Sequence, residues 1–270
     1  MSELAVRLPV VVLELALLLA GLVLLWRLAL SERARTGPVP ANLPAWDLPV
    51  PDFFLVLFVF IAGILALSFL TGLAIRPFHL STDTQAILLS AGFQLGLLVA
   101  PAAVPLKLGH FPLAPPLSRR TFRDGAATFL VSLPVVTAVS LVWIPLLRFC
   151  GVPVEPQDAL QLFLNAKLSP ILFVLITLAV LVAPIGEELF FRATLYRYLR
   201  TRFPRWAALL LPAIVFSFFH QNVAAFAPLV ALAIIFSLAY ERTGNIGTSM
   251  VAHGLFNLHT IILILAGVTS

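Results

Sequence analysis

The residues best suited to chemistry in this 270-residue chain are two adjacent acids, Glu187 and Glu188, with Arg192 close behind them. They follow a run without charge from Ile171 to Val182. A carboxylate at the centre of a bilayer loses at least about 3 kcal/mol on insertion scales, so it is kept there paired, functional or both. Helix geometry separates the two acids. Glu188 and Arg192 lie about 40° apart and one turn along, a good i,i+4 pair. Glu187 points about 140° away from Arg192 and has no partner in its own helix. The spacing therefore reads Glu188–Arg192 as a holding pair and Glu187 as the acid left for other work. Pro184 cannot donate to the Val180 carbonyl, which predicts a bend or loosening just before the acids.

Two later stretches carry polar residues on apolar backgrounds. Phe216-Ser-Phe-Phe-His220 places a histidine one turn after a phenylalanine, and His253-Gly-Leu-Phe-Asn257 places a histidine and an asparagine on one helical face. His259 lies about 240° round from His253 and is expected to face elsewhere, while His79 and His110 fall in loops. A carboxylate in a cavity of low dielectric suits a general base, and an imidazole can share its water. An amide and a second imidazole can donate to developing negative charge, one such donor being worth about 3 kcal/mol of barrier. Glu187, His220 and His253 would equally supply one oxygen and two nitrogens to a divalent metal such as zinc. These residue types leave the metal-free and metal-bound versions open, and no cofactor is firmly implied. Other hydrolytic arrangements are absent. There is no His-Glu-x-x-His helix, no aspartate lies inside an apolar span, and Ser217 lacks a glycine-flanked nucleophile turn.

The elements that must position these residues are membrane helices. The chain is 61% hydrophobic and 11% charged, against roughly 25% charged for a soluble domain, which points to an all-α, polytopic membrane protein. Eight apolar spans are expected: Leu8–Leu30, Phe53–Ile75, Gln85–Leu106, Gly125–Phe149, Ile171–Arg192 with a helical extension, Trp206–His220, Val223–Tyr240 and Gly247–Gly267. The first exceeds the apolar core of a signal peptide and precedes no small-x-small cleavage site, so it reads as a retained helix. Glu14 within it is expected to snorkel or pair with another helix. Loops after odd-numbered spans hold thirteen of the seventeen lysines and arginines, which places those loops in the cytoplasm and both termini outside. The +5 net charge therefore bears on orientation, not on nucleic acid. The single cysteine, Cys150, excludes an intramolecular disulfide and reads as a small packed residue. Proline-rich connectors at Gly37–Pro44 and Phe111–Pro116 read as irregular, and Pro156–Asn165 as a short interfacial helix.

Taken in order, Glu-Glu-x-x-x-Arg, Phe-x-x-x-His and His-x-x-x-Asn resemble the CAAX-protease and bacteriocin-processing (CPBP, or Abi) family of intramembrane endopeptidases, which includes the type II CAAX prenyl endopeptidase. The resemblance covers Pro170–Leu265. It implies residues 1–124 as membrane helices of unassigned role and residues 125–270 as a protease core. It further implies that Glu187 and His220 hold and deprotonate a water, that His253 and Asn257 stabilise the oxyanion, and that Glu188 and Arg192 complete the first motif. The implied activity is hydrolysis of a peptide bond in a membrane-associated or lipid-modified peptide, with membrane lipid and a peptide or protein substrate as partners and no nucleic acid. The implied location is a bacterial-type cell membrane, the cavity facing the cytoplasm. Two other readings use the same residues: a non-enzymatic membrane scaffold or bacteriocin-immunity protein, and a transporter with a proton relay.

Overall fold

The computed structural model describes residues 3–36, 43–104, 117–154, 162–163 and 170–268. Each of the eight expected spans holds a helix among the described residues. The helices are α1 (Glu3–Leu25, prolonged by a π-helical turn Trp26–Leu30 and by Glu32–Thr36), α2 (Val50–Ile75), α3 (Thr82–Leu97, prolonged by Val99–Ala103) and α4 (Arg119–Phe149). They continue as α5 (Pro170–Arg202), α6 (Arg205–Phe219), α7 (Val223–Thr243) and α8 (Ile246–Leu265). All but α6 are long and apolar enough to cross a membrane, and this is an integral, multi-pass, all-α membrane protein. The expected interfacial helix at 156–165 lies outside the described residues except for 162–163, which are helical. Residues 37–42 and 105–116 of the proline-rich connectors, with Lys107 and His110, and Lys167 further on, also lie outside them.

Local chemistry sets the helix ends. Ser118 and Thr121 form a reciprocal capping box that opens α4. Gly244, at φ +65°, closes α7 with its N–H on the Tyr240 carbonyl, and Asn245 caps α8 by accepting from Gly247 N–H. Cys150 is a correction. It is exposed, because it ends α4 beside Gly151 at φ +72° rather than packing inside.

Side chains tie the odd-numbered connectors together at one end of the bundle. Arg197 donates to the Pro44 carbonyl, Arg202 to the carbonyls of Trp46 and Leu48, and Asn245 to Thr121 Oγ1. Glu241 near the end of α7 accepts from both Arg200 and Arg205, which pins the α5–α6 junction. Arg192 does not belong to this arginine-rich end. It is buried at the level of the acids, which leaves twelve loop cations against four.

On α2, Phe54, Phe58, Ile61, Leu65 and Phe69 form one exposed stripe, as expected of a helix solvated by acyl chains. With 15 residues, α6 spans about 22 Å of the roughly 30 Å hydrocarbon layer. The tight turn after it, with Gln221 at φ +49°, therefore sits short of the far surface. Trp143 of α4 donates to the Val223 carbonyl and holds that turn.

Candidate active site

The acids sit where α5 departs from α-helical geometry. Its α-helical start, Pro170–Thr177, passes into a π-helical stretch, Leu178–Val182, then a short α segment, Ala183–Glu188, then a second π-helical stretch, Leu189–Tyr196. The loosening expected ahead of Pro184 is present, and π geometry recurs at functional sites. Despite the wider second stretch, Arg192 donates to Glu188 Oε1 at 2.7 Å, both side chains being buried. The guanidinium also lies 4.7 Å from the centre of the Phe216 ring and 5.5 Å from that of Phe236, and it donates to the Ala233 carbonyl. Arg192 thus joins α5 to α6 and α7 through two cation–π contacts and one backbone bond.

The same carboxylate oxygen draws in α8. His253 Nδ1 donates to Glu188 Oε1 at 2.9 Å, which fixes the ring and turns Nε2 toward Glu187 Oε2 at 3.8 Å. The ring is packed near Phe236 and Phe216, at 5.4 and 6.0 Å between centroids. The Glu188 side chain is fully buried, whereas that of Glu187 is 14% exposed, so only Glu187 can be reached from outside the packed cluster. The i,i+4 pairing of Glu188 with Arg192 expected from helix spacing is present. Glu187 has a further contact that spacing did not suggest: Gln94 Nε2 of α3 donates to its Oε1 at 3.2 Å.

Residues 169–259 match the family model described as type II CAAX prenyl endopeptidase Rce1-like. The chain carries an Rce1-like segment. It is also 32% identical over 107 residues to the UPF0177 protein YbdI of Lactococcus lactis subsp. lactis, a match covering 39% of this chain and 56% of that protein. The match thus spans about half the length of that relative. No solved structure matches. The resemblance read from the three motifs is therefore supported independently, and all seven motif residues lie within the Rce1-like segment.

Within that segment Asn257 has a partner that follows from the backbone. In the first π stretch the Ala183 N–H bonds to the Leu178 carbonyl, so it does not serve Ala179. The next residue able to serve Ala179 is Pro184, which has no N–H. Asn257 Nδ2 fills the vacancy, donating to the Ala179 carbonyl at 2.8 Å. Gly254 permits the approach, since a β-carbon there would stand 2.6 Å from the Val180 oxygen. One amide N–H of Asn257 is thereby used and a second remains.

His220 caps the end of α6. Its Nδ1 donates to the Phe216 carbonyl at 2.9 Å, and its ring centroid is 4.6 Å from that of Phe216. The carbonyl can only accept, so this contact leaves Nε2 as an acceptor in the neutral ring. No hydrogen bond or ion pair joins His220 to Glu187 among the described residues; Phe216 stands between His220 and the cluster. Ser217 donates to the Ala213 carbonyl, which leaves no serine–histidine pair.

The metal-bound version asks for three ligands in one place. Among the described residues no three His, Cys, Asp or Glu side chains are grouped to hold an ion. Glu187 and His253 approach each other, but His220 does not complete a tripod with them. The donor set among the described residues does not fit zinc.

Sequence reasoning missed Gln94, Phe236 and Glu241. For Gln94 a signal existed, since an amide in an apolar span is costly unless it is bonded. Nothing comparable marks Phe236, one of 22 phenylalanines.

Proposed function

We propose that the protein is an intramembrane endopeptidase that hydrolyses a peptide bond in a membrane-associated or lipid-modified peptide. The observation that carries this reading is the juxtaposition of a reachable acid, Glu187, with an imidazole, His253, held from behind by a fully buried Glu188–Arg192 pair. Its lying within the Rce1-like segment supports the same reaction class.

In the proposed reaction Glu187 takes one proton from a water whose oxygen bonds to the scissile carbonyl carbon. The carbonyl π pair moves onto its oxygen, giving a tetrahedral oxyanion. His220, behind Phe216, takes no part in holding this water. His253 and the unused N–H of Asn257 donate to the oxyanion. With Nδ1 donating to Glu188, His253 donates to the oxyanion when Nε2 also carries a proton. Collapse of the adduct breaks the C–N bond, and the leaving amine receives the proton from Glu187. The substrate partner is a peptide or protein, and the solvent around the bundle is lipid.

The test is cleavage of farnesylated and unmodified reporter peptides by the purified protein in detergent. Glu187→Gln should lower kcat by about 10²- to 10³-fold with unchanged thermal unfolding. A Glu187→Gln protein that cleaves like the wild type refutes the reading. The arginine-rich end is proposed to face the cytoplasm of a bacterial-type cell. The exposed Cys150, at the opposite end, should then react with a membrane-impermeant maleimide in intact cells; labelling only after lysis would reverse the orientation.

A non-enzymatic scaffold is favoured by one feature, the closed Glu188–Arg192–His253 network, which would hold helices together without any reaction. It predicts that Glu187→Gln has no consequence.

A further inference from the structure

Gln94 lies in α3, outside the Rce1-like segment, yet it touches the reactive acid. A carboxylate only accepts, so the NH2 side of the amide faces Glu187 and fixes which way the side chain is turned. Its Oε1 is then left buried with no hydrogen-bond partner. Such an oxygen is costly to leave buried unless a donor reaches it. The approach of the two helices is built in. A β-carbon at Gly186 would stand 2.9 Å from Leu97 Cβ, one turn along α3 from Gln94, so α3 is pressed against α5 beside the acid.

We infer that Gln94 is a further residue of the hydrolytic site, whose Nε2 aims Glu187 and whose Oε1 accepts the second O–H of the attacking water. The inference rests on the hydrolytic reading above. One O–H of the water points to Glu187 and the other to Gln94, which leaves an oxygen lone pair free for the carbonyl carbon. As the C–O bond forms, the first proton passes to Glu187. Gln94 gains no proton and keeps its bond to the hydroxyl of the adduct. The site is thereby shared between the two halves of the chain.

The experiment compares wild type, Gln94→Leu and Glu187→Gln, full length in detergent, with the farnesylated reporter peptide. Gln94→Leu nearly keeps the side-chain volume and removes both polar contacts; Gln94→Met serves if leucine prevents folding. The expected result is a fall in kcat of about 100-fold with little change in KM and in thermal unfolding. A second readout needs no turnover. The infrared carboxylate band of Glu187, taken from the difference between wild type and Glu187→Gln, should shift in Gln94→Leu. Wild-type kcat in a folded Gln94 variant overturns the inference while leaving the hydrolytic reading intact, and so does an unshifted band. A wild type that cleaves neither peptide, with the band still shifted, overturns the hydrolytic reading and this inference with it.

Discussion

Two carboxylate–imidazole pairs hang from the same helix, six residues apart, and only one resembles a working site. His253 meets Glu188 at 2.9 Å within a buried group that also holds Arg192, Glu187 and two phenylalanines. His259 meets Glu14 of α1 at 2.5 Å, in a cleft of about 170 Å³ lined otherwise by apolar side chains such as Val10, Leu17 and Phe129. The second pair has neither a second acid nor a buried arginine among the residues lining its cleft. It closes on itself and leaves no acid to spare. An acid beside an imidazole is therefore not enough. What distinguishes α5 is that one glutamate holds both Arg192 and His253 while its neighbour is left reachable.

The contrast can be broken at its strongest point first. Arg192→Leu strands a fully buried Glu188 and should cost about 3–5 kcal/mol, read as detergent unfolding at lower denaturant; the double variant with Glu188→Leu should recover part of that. A loss below about 1 kcal/mol would mean that the network does not hold the helices. Asn257→Leu should cost about 1–3 kcal/mol by orphaning the Ala179 carbonyl, and should lower kcat as well. Lower kcat with unaltered unfolding would assign Asn257 to chemistry alone. At the Glu14–His259 pair, Glu14→Gln and His259→Phe should each change stability by no more than about 1 kcal/mol and leave cleavage rates unchanged. A large rate loss there would erase the distinction between the two pairs.

The parts legible in the sequence were those governed by short-range rules. Apolar length located all eight helices, and i,i+4 spacing paired Glu188 with Arg192 and released Glu187. The angular estimate correctly turned His259 away from His253, and Glu14 does pair with another helix. Partners separated by long stretches of chain were not legible. Gln94 lies 93 residues before Glu187, and nothing in a Leu- and Ala-rich span says which helix it will meet. Glu241 was passed over for a related reason: arginines at 200 and 205 were read only as loop charge, although both converge on it. Proline chemistry foretold a disturbance before the acids, but not its π form or the carbonyl that Asn257 would have to satisfy.

Each widened turn of α5 accommodates one residue more than a regular helix of the same rise would need. The two acids are therefore bracketed by slack on both sides, Leu178–Val182 before them and Leu189–Tyr196 after them. Deleting one residue from either bracket would leave a continuous rod that still spans the bilayer. It would also rotate everything beyond the deletion by about 100°. In this protein the phase of one helix, more than its length, decides whether the acids, the arginine and the distant clasp at Glu241 all find their places at once.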